Sequence, residues 1–202
     1  MGFLVEQCTL WELTKEVLEE CKPFVCDKPD LNEFFEKDAF NYQQELMGKS
    51  YCFRLDKDPT VIICAFTVAN DSIKANLLPN SRKKKVNKDV PRAKQMRSYP
   101  AVLIGRLGVS KDWEGKGLGR ELMDFVKSWF INPNNKTGCR FVVVDAYNVE
   151  GPLNYYLKNG FSYLFSTEEQ ERNYTGVPED RELETRLMYF DLIAISSNNE
   201  GQ

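Results

Sequence analysis

Residues 106–120 read Arg-Leu-Gly-Val-Ser-Lys-Asp-Trp-Glu-Gly-Lys-Gly-Leu-Gly-Arg, and they constrain the fold more than any other segment. An apolar run from Ala101 to Val109 passes through a short polar bend into Gly115, Gly117 and Gly119, and a helical pattern follows directly. Leu118, Leu122, Phe125, Val126, Trp129 and Phe130 recur at offsets of three and four and so share one helix face. Pro133 and the Asn-rich residues after it stop that helix. Strand, glycine turn and helix start in this order suit a pyrophosphate. Glycine allows close backbone approach and φ > 0, and the unpaired N–H groups at a helix start favour an anion. The spacing Gly-x-Gly-x-Gly differs from a P-loop, which needs Ser or Thr after its Gly-Lys, and from the Gly-x-Gly-x-x-Gly of a Rossmann turn. Read alone, the segment also fits an ordinary strand-to-helix turn.

Residues 139–161 add a second pattern. Phe141 to Val144 is a continuous apolar run rich in β-branched residues, which predicts a strand buried on both faces. Pro152 suits the first turn of a helix carrying Tyr155 and Tyr156, and Gly160 suits the residue just past its end.

Together the two segments resemble the GCN5-related N-acetyltransferase (GNAT) family. That family has Gln/Arg-x-x-Gly-x-Gly/Ala after its fourth strand, here Glu114-Gly115-Lys116-Gly117-Leu118-Gly119. It also has a later Tyr-x-x-x-Gly-Phe, here Tyr156-Leu157-Lys158-Asn159-Gly160-Phe161. The resemblance covers about residues 24–190. It implies a mixed, mostly antiparallel central sheet with helices on both faces, acetyl-CoA as cosubstrate and no metal. It further implies that Leu107, Gly108 and Val109 hold the pantetheine arm on a splayed strand, with an amide near Leu107 or Gly108 polarising the acetyl carbonyl. Glu114 to Arg120 take the pyrophosphate, with Lys116 and Arg120 supplying positive charge, and Asn148 bonds the pantetheine. Glu114 is a departure, since a carboxylate there repels pyrophosphate if it points inward. Tyr156 is the expected general acid for the departing thiolate. Tyr155 is its rival, and the four-residue step to Gly160 selects Tyr156. Asp145, the acidic segment described below, or water remain open as the base.

Composition narrows the chemistry. The 202 residues suffice for one substantial core, and the reading is a single acetyltransferase domain over 1–195 with a disordered tail over 196–202. There is no histidine, which removes His-based triads, bases and metal ligands. Six cysteines, at 8, 21, 26, 52, 64 and 139, form no C-x-x-C pair and read as reduced thiols. No apolar stretch reaches membrane-spanning length and no secretory signal opens the chain, so a cytoplasmic protein is expected. Met1-Gly2 suggests myristoylation, but Glu6 stands where that signal needs Ser or Thr.

The other elements are read as follows. Phe3 to Leu10 is taken as a strand and Leu10 to Cys21 as a helix. A helix from Asp30 to Leu46 follows, with Asp30 as N-cap and Glu33 completing a capping box. Tyr51–Leu55 and Val61–Val68 are strands joined by a turn over 56–59.

Charge is uneven. The chain carries a formal −3, yet Arg82, Lys83, Lys84, Lys85, Lys88, Arg92, Lys94 and Arg97 are opposed within 82–97 only by Asp89. Such a run is a solvated loop or a phosphate-binding arm for RNA or for the cofactor's 3′-phosphate. Glu168, Glu169, Glu171, Glu179, Asp180, Glu182 and Glu184 form an acidic counterpart, either a solvated loop or a lip that attracts a cationic amine. Pro100-Ala-Val-Leu-Ile-Gly105-Arg106-Leu107 resembles the acetyltransferase toxins that modify the amino group of aminoacyl-tRNA. The overall acidity, and the lack of stacking aromatics in the basic run, favour a small-molecule or peptide amine as acceptor. Aminoacyl-tRNA is the alternative, a non-catalytic CoA- or RNA-binding module another, and a homodimer a further expected assembly.

Overall fold

The computed structural model describes residues 2–92 and 96–196. Lys94 of the basic run and residues 197–202 of the expected tail lie outside them. Among the described residues, seven strands form one mixed, mostly antiparallel sheet in the order β1-β2-β3-β4-β5-β7-β6. They are β1 (Cys8–Glu12), β2 (Lys49–Leu55), β3 (Asp58–Ile73), β4 (Tyr99–Val109), β5 (Phe141–Tyr147), β6 (Ser162–Tyr163) and β7 (Thr185–Asp191). The helices are α1 (Phe3–Gln7), α2 (Lys15–Glu20), α3 (Pro29–Glu33), α4 (Ala39–Gln44), α5 (Asn80–Val86), α6 (Leu118–Ile131), α7 (Glu150–Lys158), α8 (Glu168–Thr175) and α9 (Ile193–Ser196). Among the described residues, no helix is long and apolar enough to cross a membrane.

The chain divides into two compact units. The first comprises Met1–Asn70 and Ile104–Trp129. Within it β1, β2 and β3 pair antiparallel, with an irregular register between Phe53 and Leu55. Ile62 to Val68 are all buried, as the apolar, β-branched composition of this central stretch demands. Leu13, Val17, Leu31, Phe34, Phe35, Cys52, Ile62 and Ala65 share one core. On α6, Leu118, Leu122, Met123 and Val126 are buried at the predicted three- and four-residue offsets.

The second unit comprises Asp71–Leu103 and Phe130–Gln202. Here β5 pairs antiparallel with β7 over its whole length, Val144 opposite Met188 and Asp145 opposite Leu187. Phe141 to Val144 are buried without a break, as the apolar run predicts. Tyr99, Phe141, Phe165, Leu164 and Tyr189 lie in the core of this unit.

Five sequence readings are corrected. Phe3–Gln7 is a helix rather than a strand; Leu4 is fully buried, and its N–H donates to Glu121 Oε2 at 2.9 Å. The strand follows it, at Cys8–Glu12, and the next helix spans only Lys15–Glu20, capped by Thr14. Asp30 is no N-cap, because Pro29 takes the first helical turn and Lys28 the cap position. From Phe34 to Asp38 the helix widens into a π-turn in which Ala39 N–H reaches back to Phe34 O. Finally, both charged segments contain helices: α5 in the basic run, and α8 in the acidic run, capped by Thr167 at its start and by left-handed Gly176 at its end.

Candidate active site

The glycine loop lies wholly within the first unit. The end of β4 is fixed from both sides of its exit: Ser110 N–H donates to Ile63 O and Lys111 N–H to Val25 O, each at 2.8 Å. A 3₁₀ turn over Lys111–Trp113 leads into the glycines. Gly115 then has φ +72° and Gly117 φ +80°, conformations that L side chains rarely adopt. A Cβ at either would meet no atom within 4 Å, so open space lies beside this backbone, as a bound pyrophosphate requires. Arg120 and Glu121 N–H both reach Gly117 O at the first turn of α6. Gly119 follows Leu118 in that turn, and Leu118 is buried.

Leu107 and Val109 are half-buried on β4, with Gly108 buried between them. A Cβ on Gly108 would lie 3.3 Å from both Cys26 Sγ and Phe24 Cζ, so a larger residue there would make these neighbours give by a few tenths of an ångström. Glu114 is exposed and its N–H donates to Lys111 O. Lys116 Nζ donates to Asp112 O at 3.0 Å and lies 4.3 Å from the centre of the Trp113 ring. Arg120 is exposed and pairs with Asp124 at 3.9 Å.

The second unit holds the other candidates. Tyr155 and Tyr156 stand on α7 with their rings edge-to-face at 5.1 Å, and Tyr156 packs on Phe161 at 5.3 Å. Gly160, at φ +81°, lets the chain leave the helix into Phe161, whose N–H returns to Tyr156 O at 3.0 Å. Burial pushes the Tyr156 hydroxyl well above its ordinary pKa, and the nearby Asp145 charge adds to the rise. The phenol therefore stays protonated across the neutral range. Asn148 Nδ2 donates to Glu168 Oε1 at 3.0 Å and to Leu183 O at 2.9 Å, so its amide is held in a fixed orientation.

The acidic segment changes character in three dimensions. Glu171 is buried; its Oε2 accepts from Arg186 Nε at 2.7 Å, and its other oxygen accepts the Leu187 N–H. Glu168 lies near Arg172 and Arg186, at 3.5 and 3.8 Å. Two of the three leading carboxylates thus brace α8 and β7 internally. The basic run splits likewise. Arg82 is buried and donates to the carbonyls of Leu164, at 2.7 Å, and Tyr163, whereas Lys84, Lys85, Lys88 and Arg92 are exposed.

Thiol chemistry finds little support. All six cysteines are free, and burial raises the thiol pKa to about 11 for Cys8 and Cys139 and to about 12 for Cys52. A thiolate nucleophile needs the opposite shift. Among the described residues no group of three or more metal-ligating side chains occurs.

The family model described as acetyltransferase (GNAT) domain matches residues 86–163. A tyrosine-to-phenylalanine mutant of KacT is similar in structure, with TM-score 0.69, 19% identity and coverage of 96% of this chain and 99% of that one. AtaT complexed with acetyl-methionyl-tRNAfMet gives TM-score 0.65 at 19% identity, covering 95% and 99%. AtaTR bound with AcCoA gives 0.61 at 16% identity, covering 96% and 99%. Likeness at these identities establishes a common fold over nearly the whole chain. No curated protein matches the sequence.

Proposed function

We propose, from the premise that this chain is an acetyl-CoA-dependent N-acetyltransferase carrying a GNAT domain, that its acceptor is the α-amino group of an aminoacyl-tRNA. The observation that carries this reading is the end-to-end likeness to AtaT, which is known in complex with acetyl-methionyl-tRNAfMet. The exposed basic face formed by Lys84, Lys85 and Lys88 adds to it, because phosphate contacts supply most of the affinity of such complexes. The rival reading, a small cationic amine drawn by an acidic lip, loses support once Glu168 and Glu171 are engaged by Arg172, Arg186 and Leu187.

The chemistry asks little of a base. An α-amino group has a pKa near 8 and is partly neutral at physiological pH. Its lone pair attacks the thioester carbonyl carbon; the C–N bond forms, the C–S bond breaks, and the amine's surplus proton passes to water. Tyr156 donates its hydroxyl proton to the departing CoA thiolate and is reprotonated from solvent, giving the acetylated amine and CoA thiol. Gly115 to Arg120 hold the pyrophosphate through backbone N–H groups and nearby cations. Leu107 to Val109 and Asn148 hold the pantetheine. The domain is taken as a single catalytic unit over 1–195, and a homodimer and a protein partner that restrains it remain part of this proposal.

The decisive experiment incubates the purified chain with labelled acetyl-CoA and, separately, with charged tRNAs, their free amino acids, and polyamines. Label in the aminoacyl moiety of tRNA that is absent with Tyr156→Phe supports the proposal. Efficient labelling of polyamines or peptides, with none on tRNA, rejects it in favour of the small-amine reading.

A further inference from the structure

We infer that Trp113 is a positioning residue for acetyl-CoA. Its indole holds the Lys116 ammonium at the glycine loop, and Phe3 of α1 holds the indole in turn. The inference rests on the pyrophosphate reading of that loop and adds two aromatic residues and the N-terminal helix to it.

Lys116 stands between Gly115 and Gly117, two residues of positive φ without side chains. A lysine there has a flexible four-carbon stem and many rotamers to lose before its charge can serve an anion. Two contacts restrict it. The ammonium lies 4.3 Å from the Trp113 ring centre, and it donates to Asp112 O at 3.0 Å. Both partners belong to the turn that leads into the loop, so the charge is kept beside the glycines. The ammonium has three donors and spends one on Asp112 O, so it can meet an arriving pyrophosphate while it still rests on the indole.

Trp113 is itself held. Its ring lies 5.1 Å from the Phe3 ring, tilted by 35°. Phe3 opens α1, and α1 is fastened to the start of α6: Leu4 is fully buried and its N–H donates to Glu121 Oε2 at 2.9 Å. A Cβ on Gly2 would come within 2.5 Å of the same carboxylate oxygen, so a larger residue there would displace the Glu121 side chain from its place beside α1. Glu121 is the acidic residue in the first turn of α6, where a bound anion would meet it unfavourably. Its hydrogen bond to Leu4 gives that charge a partner on α1. The N-terminal helix thus braces the lysine that helps the anion and occupies the carboxylate that opposes it.

Calorimetric titration of acetyl-CoA into the full chain tests this, alongside steady-state kinetics. Trp113→Leu is expected to raise the dissociation constant about three- to fivefold, the loss of one exposed cation–π contact. It should raise KM for acetyl-CoA to match, with kcat at saturation within about twofold of wild type. Trp113→Phe should restore most of the loss. In a Lys116→Ala background, Trp113→Leu should add nothing, because the two act as one unit. Phe3→Ala should weaken binding in the same Lys116-dependent way, and it decides the matter if Trp113→Leu does not fold. Losses that add to that of Lys116→Ala, or unchanged affinity in both aromatic variants, would overturn the inference. Gly117→Asp runs in parallel: if it leaves binding intact, the loop reading itself fails. If it abolishes binding while the aromatic variants do not change it, only the inference drawn here fails.

Discussion

The Arg82 guanidinium donates to the Leu164 carbonyl oxygen at 2.7 Å, joining two residues 82 positions apart in sequence. It also meets the Tyr163 carbonyl and, at 3.4 Å, the Ser166 hydroxyl. Arg82 therefore organises the segment after β6, while Lys84 and Lys85 on α5 are exposed. One basic run serves two physical ends.

The two ends separate by mutation. Arg82→Gln leaves buried carbonyls without donors and should lower unfolding free energy by about 1–3 kcal/mol. It should not alter the salt dependence of KM for aminoacyl-tRNA. Lys84→Gln with Lys85→Gln should do the reverse, leaving thermal stability unchanged and raising KM for aminoacyl-tRNA. Each lost phosphate contact should flatten the slope of log KM against log salt by about 0.7–0.9. Denaturant melts and a salt series of KM on both proteins check the split.

The glycines offer a contrast in cause. Gly117 has φ +80° and open space beside it. Asp is among the residues that best tolerate this backbone, so Gly117→Asp should fold, yet its charge beside pyrophosphate should abolish the thermal shift given by acetyl-CoA. Gly117→Asn, of the same shape without charge, should keep a reduced shift. Gly108→Ala acts through packing instead: Cys26 and Phe24 must move by a few tenths of an ångström, at a cost of about 1 kcal/mol. Gly105→Ala meets nothing within 4 Å and serves as the control. Differential scanning fluorimetry with and without acetyl-CoA reads all four.

Glu168 and Asn148 form the next pair. The Asn148 amide N–H₂ is committed to Glu168 and Leu183, which leaves its carbonyl oxygen as the atom a pantetheine N–H could meet. Glu168→Ala should free that amide to turn and raise KM for acetyl-CoA severalfold, while Glu168→Gln retains an acceptor and most of the affinity. Exposed Glu169, changed to Gln, should move neither. An effect of Glu168→Ala on KM for the acceptor alone would return the acidic lip to consideration.

What the sequence disclosed depends on where each signal came from. The strands at β4 and β5, helix α6 and the positive φ at Gly115, Gly117 and Gly160 rest on local patterns, and each was legible. Helix α1 was not, because Phe3-Leu4-Val5 suits a strand locally and the deciding bond is to Glu121, 117 residues away. Helices α5 and α8 are not legible as helices, because their faces carry charge rather than apolar residues. Each nevertheless buries one charged side chain, Arg82 or Glu171, that finds its partners only in the folded chain. Lys116 was expected to supply charge at the loop, but its bracing by Trp113 and Phe3 joins an N-terminal residue to a loop more than a hundred positions later. No spacing rule reports that.

The pH profile of Tyr156 provides the sharpest test of its role. Desolvation, with Asp145 second, raises its folded pKa above the ordinary tyrosine value near 10. A tyrosine with a raised folded pKa is favoured in its neutral form, so it adds no pH dependence to stability until the pH exceeds its unfolded value, and none to activity until the pH approaches its higher folded value. The acidic limb of kcat/KM should follow deprotonation of the acceptor amine near pH 8, and the rate should then hold level to about pH 10. Tyr156→Phe should lower kcat by about 10²–10⁴ and leave acetyl-CoA affinity nearly unchanged, since the ring still packs on Phe161. Tyr155→Phe should cost little. A wild-type rate that falls below pH 10, or a large loss in Tyr155→Phe with none in Tyr156→Phe, would assign the proton to another group.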